Sequence, residues 1–294
     1  MVSTKVGPDL SLLNPLQEQF ESDLRGHIAQ LGNKTKLRDA CSYALLNGGK
    51  RIRPLLVMVV AKALKNGLDV KEAALSVEYF HTASLIADDL PCMDNDDLRR
   101  DQPSLHCVFG EAVALLASYA LISAAYEKIF TSTQVLKRAK EPFCLHAHET
   151  CSFALAHAAR CAGILGATGG QFLDLFSKTS SLQDIKNIIY KKTVTLFEVC
   201  FVFGWVFGGG DLKQIEKVKQ AAFHFGMAFQ IADDFDDFSH DKKQSFNIVR
   251  CLGVKKSQTL FREEVNLLKL SLKQLALYTP EFRQVLSLLI GYQG

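Results

Sequence analysis

The sequence predicts one all-α domain covering residues 1–294. Three observations carry this. Apolar residues recur at spacings of three and four along almost the whole chain, the period of one helix face. Only seven prolines occur in 294 residues, and turn clusters are sparse. No stretch alternates apolar and polar residues as a half-buried strand does, and no linker rich in Pro, Gly or Ser divides the chain.

Residues 15–31 read as an amphipathic helix. Residues 36–47 form a second, closed by Asn47-Gly48-Gly49, which suit the left-handed turn that ends helices. After Lys50, Arg51, Arg53 and Pro54, an apolar helix runs to about residue 66. Residues 70–89 form the next helix, interrupted by Pro91. After Pro103 a helix covers about 109–130, and 131–143 (TSTQVLKRAKEPF) reads as a polar surface connection. Residues 144–166 are a long helix rich in Ala and Cys that ends near Gly169-Gly170. Residues 182–208 and 212–238 give two more, 239–247 a loop, and about 254–277 and 279–291 the last two helices.

Composition narrows the function. A net charge of +3 without a dense Lys/Arg block argues against nucleic acid as a partner. Eight dispersed cysteines contain no C-x-x-C pair. That disfavours zinc and fits buried free thiols in a reducing, cytoplasmic compartment. The first twenty residues show neither a secretory apolar core nor transit-peptide character. The apolar stretches 152–170, with His157 and Arg160, and 195–210, with Glu198, are too short and interrupted to span a membrane. They read as buried central helices.

Charge then singles out two places. Residues 81–106 (HTASLIADDLPCMDNDDLRRDQPSLH) carry Asp88, Asp89, Asp94, Asp96 and Asp97, and FQIADDFDD (229–237) carries Asp233, Asp234, Asp236 and Asp237. Two carboxylates about 4 Å apart repel by ~4 kcal/mol at an effective dielectric constant near 20. Gathering both clusters in one cavity requires counter-cations. Mg²⁺ fits, because it takes oxygen donors and is held by one or two carboxylates plus substrate phosphates. The bland alternative is two solvated acidic helix ends. The shared I-A-D-D core (86–89 and 231–234), reached through apolar residues, argues against it.

On a helix, His81 lies two turns before Asp88 on the same side, with Ser84 between them. The cations fall into three groups: Lys50, Arg51 and Arg53 after two glycines; Arg99 and Arg100; Lys191-Lys192-Thr193. Arginine forks and helix-start amides both suit phosphate oxygens. Two acidic and three basic groups beside long apolar helices point to substrates that join a diphosphate to a lipophilic tail.

At this level the chain resembles the short-chain trans-isoprenyl diphosphate synthases. Residues 81–106 resemble their first aspartate-rich region and FQIADDFDD the second. GGKRIRP (48–54), GGQFLDL (169–175) and KT (192–193) fall in the family order. The resemblance implies an all-α bundle of isoprenoid synthase type around a deep central cavity, usually a homodimer. It implies three Mg²⁺ ions, two of them on Asp88 and Asp94 and the third on Asp233, with Asp89, Asp234 and Asp237 in outer positions. Isopentenyl diphosphate would sit on Lys50, Arg53, His81 and Arg100. Arg99, Lys192 and Gln230 would hold an allylic diphosphate (dimethylallyl, geranyl or farnesyl). The Lys192 carbonyl, Thr193 and Gln230 would face the allylic cation.

Small residues Ala83 and Ser84 precede Asp88, where family members that stop at fifteen carbons usually carry an aromatic. Phe80, roughly 12 Å lower on the helix, is the candidate floor. The expected product is therefore geranylgeranyl diphosphate, with farnesyl diphosphate second. Residues on other helices are the competing source of the floor. Ala87, Asp101, Ser118-Tyr119 and Ser245 depart from the family pattern, and the IGYQG end lacks its basic tail. Asp101, beside the arginine pair, is expected to compete with diphosphate. Two further readings are a class I terpene cyclase, against which DDFDD argues, and a non-catalytic partner subunit of an active synthase, against which the survival of both acidic motifs argues.

Overall fold

The computed structural model describes residues 9–177, 181–238 and 247–291. The chain starts with α1 (Asn14–His27), which runs into a 3₁₀ turn, then α2 (Lys36–Leu46), α3 (Ile52–Leu64) and α4 (Lys71–Asp88). A small hairpin of β1 (Leu98–Arg99) and β2 (Gln102–Pro103) leads to α5 (Leu105–Phe109) and the long α6 (Glu111–Lys137). Then come α7 (Ala147–Ala162), α8 (Ala167–Phe176), α9 (Leu182–Ile189), a π turn over Tyr190–Val194, and α10 (Thr195–Phe207). The chain continues through α11 (Ile215–Asp237), α12 (Ile248–Leu252), α13 (Val254–Gln274) and α14 (Pro280–Gly291).

The all-α expectation holds, and the departures have local causes. Residues 131–137 continue α6 instead of forming a surface connection. Ser132 and Thr133 are polar but buried, because their hydroxyls donate to the carbonyls of Lys128 (2.8 Å) and Ile129 (3.1 Å) one turn back. The helix expected over 144–166 is α7 alone, stopped at Gly163, and Gly169-Gly170 lies inside a separate helix, α8. The predicted 182–208 helix is α9 and α10 joined by the π turn. The hairpin, with two residues per strand, was not expected. The thiols are mixed rather than uniformly buried: Cys41, Cys161 and Cys200 are inside, and Cys92, Cys107 and Cys251 are exposed.

Two helices organise the core. Every residue of α10 is buried, and α3, α4, α7 and α11 surround it. α4 packs most extensively on α6 and is buried along nearly its whole length, acids included. Those acids are matched internally. Glu78 pairs with Arg51, whose guanidinium also donates to Glu21 (2.7 Å) and to the Leu45 carbonyl (2.7 Å). Arg51 is thus a structural residue of the Gly48–Pro54 stretch, held at φ 50° ahead of α3. Glu72 takes Lys128 of α6 at 2.8 Å and His27 of α1 at 3.0 Å.

By length and composition α6 could cross a membrane, with 39% of its most apolar window buried. This was not anticipated, because the apolar stretches weighed from sequence were other ones. One side of α6 packs on α4. The other exposes Leu115, Leu116, Tyr119, Ile122 and Phe130.

Breaking the Glu72 pair leaves a buried charge. Lys128→Met should cost about 3–5 kcal/mol in denaturant unfolding, and Glu72→Leu/Lys128→Met should recover most of it. Burial alone would raise the Glu72 carboxyl, but Lys128 and His27 hold it below its usual range. A lowered folded value stabilises above the unfolded glutamate value of about 4.3, and that stability is lost as pH falls through the folded value. Acid unfolding of the double variant should therefore be shallower in this window.

Candidate active site

Helix ends of opposite polarity meet at one end of the bundle. Arg53, in the first turn of α3, places its Nη1 3.2 Å from His81 Nε2 on α4. Its guanidinium lies over the Phe197 ring of α10, 4.5 Å from the centroid. It also lies within electrostatic reach of Asp233 on α11. So the N-termini of α3 and α10 face the C-termini of α4 and α11. The acidic motifs occupy the two C-terminal ends, where the helix dipole disfavours negative charge, and the N-terminal ends favour anions. This arrangement calls for cations on the carboxylates and an anion near Arg53.

On α4 the residues left partly accessible include His81, Ser84 and Asp88, the stripe expected from their spacing. Phe80 and Ala83 are buried instead. Phe80 stacks edge-on against Tyr126 of α6, and the Ala83 carbonyl accepts from Ser118 Oγ at 2.9 Å. Ser118, at a usual glycine position, thus ties α6 to α4 just below the first motif. Asp94 folds back, its amide donating to the Asp88 carbonyl at 2.9 Å. Burial pushes the Asp88 carboxyl up to about 7, with Lys192 opposing and Asp94 adding to the rise. Asp94 is raised as well, by burial first, with Lys192 opposing.

Lys192 and Thr193 lie in the π turn, a local widening that recurs at functional sites. Lys192 pairs with Asp174 of α8, and Gln171 of α8 donates to Asp94 Oδ1 at 3.4 Å. A Cβ at Gly170 would collide with the Lys192 backbone nitrogen, so glycine lets α8 come this close. Gln171 and Asp174 are site residues that the sequence reading passed over. Both lie within GGQFLDL, and their three-residue spacing on one helix face is the sequence signal that points to them.

The second motif is held from beneath. Thr193 Oγ1 donates to Gln230 Oε1 (2.7 Å), and Gln230 Nε2 donates to Asp234 Oδ1 (2.8 Å). Asp234 is buried and also accepts the Ile248 amide at 2.7 Å, which suits an outer, positioning role. Its carboxyl is pushed up to about 7 by burial, against those two hydrogen bonds. Asp233 opens to the site. Burial and then Asp237 and Asp236 push it up to about 6, with Arg53 and Lys50 opposing. Lys50 is therefore near the second motif. Asp88, Asp94 and Asp233 offer carboxylate oxygens, the donor type that Mg²⁺ takes.

The arginine pair is less free than expected. Arg99 Nε donates to both Asp89 oxygens (3.0 and 3.2 Å), and Asp96 lies 3.6 Å from its Nη2. Arg100 reaches the Gly48 carbonyl and covers Gly49, whose φ of 113° needs glycine. Asp101 is exposed with φ 62°, and among the described residues it forms no ion pair with Arg99 or Arg100. Arg100-Asp101 is a two-residue hairpin turn with both φ positive, the type that favours glycine at its second position. The glycine usual there answers to backbone geometry, and the expected competition between Asp101 and diphosphate loses its basis. Ser245, Lys242, Lys243 and the last residues of IGYQG lie outside the described residues.

Residues 34–249 match the family model for polyprenyl synthetases. The chain belongs to the polyprenyl synthetase family. It is 34% identical over 273 residues to a chloroplastic geranylgeranyl pyrophosphate synthase of Catharanthus roseus, covering 87% of this chain and 73% of that one. It is 38% identical over 231 residues to the farnesyl diphosphate synthase of Geobacillus stearothermophilus, covering 76% and 74%. Several other plant relatives are longer, and the chain spans between 52% and 62% of their length. A crystal structure of an FPP/GFPP synthase from Zymomonas mobilis superposes with a TM-score of 0.79 at 30% identity, covering 96% of this chain and 98% of that one.

Two outcomes follow from this geometry. Arg53 is half-buried, with its Nε shut off from water and unpartnered, and it has no carboxylate at ion-pair distance among the described residues. Arg53→Met should raise the stability of the substrate-free chain by about 1–3 kcal/mol while raising the Michaelis constant for the homoallylic diphosphate. A destabilised variant would show that Arg53 is matched internally. Asp101→Gly should stabilise by about 0.5–1 kcal/mol in denaturant unfolding with both Michaelis constants unchanged. A fall in either constant would restore an electrostatic role to Asp101.

Proposed function

We propose that this chain joins isopentenyl diphosphate head-to-tail to an allylic diphosphate, with geranylgeranyl diphosphate as the main product and farnesyl diphosphate as the second. The observation that carries the reading is a set of charges at one bundle end that lack ion-pair partners among the described residues: Arg53, with its Nε unpartnered, facing Asp88 and Asp233. A substrate that brings diphosphate with Mg²⁺ satisfies both.

Arg53 and His81 bind the isopentenyl diphosphate, with Lys50 and Arg100 at its edge. His81 is held neutral, because burial and then Arg53 push its imidazole well below the usual value. It therefore offers one donor to phosphate and no charge. Lys192 turns from Asp174 to the allylic diphosphate, and Arg99 supports it while bridging to Asp89. Asp88, Asp94 and Asp233 would hold Mg²⁺, three ions by family expectation, and the metal would supply charge that stabilises the leaving diphosphate. Thr193 donates its hydroxyl hydrogen bond to Gln230, which leaves the Thr193 oxygen lone pairs for the allylic cation beside the Lys192 carbonyl. Asp234, pinned by Ile248, fixes that orientation. The homoallylic double bond attacks the cation, and a proton leaves to the departed diphosphate. Apolar walls exclude water, which would otherwise yield an alcohol.

A second copy of this chain is the proposed occupant of the exposed α6 face. Five large apolar side chains on a helix whose other side is packed make a continuous strip of the kind that homodimers bury.

With Mg²⁺, isopentenyl diphosphate and farnesyl diphosphate, the purified chain should give a twenty-carbon product by chromatography. Asp88→Asn and Asp233→Asn should each lose at least about 10²-fold in turnover. Absence of any elongated product from the purified wild-type chain would favour the partner-subunit reading. Mg²⁺ should raise the melting temperature of the wild type and do so less in either variant. Light scattering should give a dimer, and Leu116→Glu/Tyr119→Glu a monomer. A wild-type monomer would remove the α6 proposal.

A further inference from the structure

Behind the π turn, away from the substrate carboxylates, three potential ligands converge. His157 and Cys161 stand one turn apart on α7, and Glu198 faces them from α10. All three are buried, and their donor atoms lie within 4.8 Å of one another. His157 Nε2 is 3.5 Å from Glu198 Oε1 and 3.6 Å from Cys161 Sγ. A tetrahedral zinc ion with bonds of about 2.0 Å to nitrogen and oxygen and about 2.3 Å to sulfur has ligand-to-ligand edges of roughly 3.3–3.6 Å. The two distances match those edges.

From this geometry we infer that His157, Cys161 and Glu198 form a three-ligand site for a borderline-soft divalent cation of the Zn²⁺ class, separate from the Mg²⁺ carboxylates. Neutral imidazole, thiolate and carboxylate are a set that such ions take, whereas Mg²⁺ prefers oxygen alone. Hydrogen bonding serves the cluster poorly. The two contacts inside the cluster, both made at His157 Nε2, are long for hydrogen bonds. Burial accordingly pushes the Cys161 thiol up to about 12 and the His157 imidazole down to about 4. The Phe153 ring stacks parallel on His157 at 5.8 Å and fixes its plane. On binding, the cation displaces the thiol proton and any carboxyl proton to solvent, and the imidazole ligates through Nε2 as the Nδ1–H tautomer, with no net change in its protons.

The site also has a mechanical neighbour. Thr195 Oγ1 donates to the Cys161 carbonyl (3.2 Å) and to the Lys191 carbonyl (2.6 Å). A cation that fastens α7 to α10 here braces the turn that presents Lys192 and Thr193. The cysteine pattern alone disfavoured zinc because the third ligand comes from a helix remote in sequence.

Cobalt(II) is the probe, added to chelator-treated full-length chain in excess Mg²⁺ so that the oxygen-donor site is filled. The expected result is one cobalt ion per chain with a thiolate-to-cobalt absorption band, bleached when zinc is added. Cys161→Ser should abolish the band, and Glu198→Gln, which keeps the thiol, should weaken binding at least tenfold. Circular dichroism checks that each variant is folded. Cys107→Ser should keep the band, because Cys107 belongs to a second, solvent-facing group with Asp97 and His106. Zinc should also slow amide exchange across residues 190–194. Absence of the band in the wild type overturns the site, as does a band that survives in Cys161→Ser or is lost in Cys107→Ser.

Discussion

A charge taken out of water must be matched, and this molecule sorts its buried charges by where the match comes from. Arg51 finds Glu78, Lys128 finds Glu72, and Arg99 finds Asp89, all within the chain. These pairs let α4 lie inside the protein while carrying acids along its length. Arg53, Asp88, Asp94 and Asp233 are left over, and they gather at one end of the bundle. The unmatched remainder is the substrate site. Removing one partner of a buried pair costs several kcal/mol, so the chain holds its site at a standing electrostatic cost that the bound substrate offsets.

The same logic explains why the helices run as they do. Carboxylates at the C-termini of α4 and α11 oppose two helix dipoles, while Arg53 and the π turn sit at N-termini that already favour anions. Reversing either acidic helix would relieve its carboxylates and remove their need for a cation. Mg²⁺ affinity thus belongs to helix direction as well as to residue identity. α8 adds a resting contact: Asp174 holds Lys192 between the two states of the site, ready to be exchanged for phosphate oxygens.

Most of the helices were legible because an apolar period of three to four persists through them. What escaped has physical reasons. Residues 131–137 look polar, but Ser132 and Thr133 satisfy their hydroxyls within their own helix. Gly169-Gly170 reads as a stop, yet it lies inside α8 where glycine permits contact with Lys192. The hairpin is too short to show alternation. Of the site, the acidic residues and the π-turn pair were readable from motif and charge. The pairings were not, because Arg99 with Asp89, Lys192 with Asp174 and Gln171 with Asp94 depend on tertiary approach. Asp101 was misread for the same reason: its sequence neighbours are cationic, but its backbone angle turns it to solvent.

The π turn also acts as a phase shifter. A π turn holds one more residue than an α turn of the same height, and one residue is about 100° of rotation. α9 and α10 therefore share an axis but not an angular frame. The stripe of α9 that carries Ile185, Ile188 and Ile189 and the faces of α10 are separately indexed, so each can be buried against its own neighbours. The surplus residue is absorbed where Lys192 and Thr193 leave the helical surface. The bulge that presents Lys192 and Thr193 and the separate indexing of α9 and α10 are one feature with two effects.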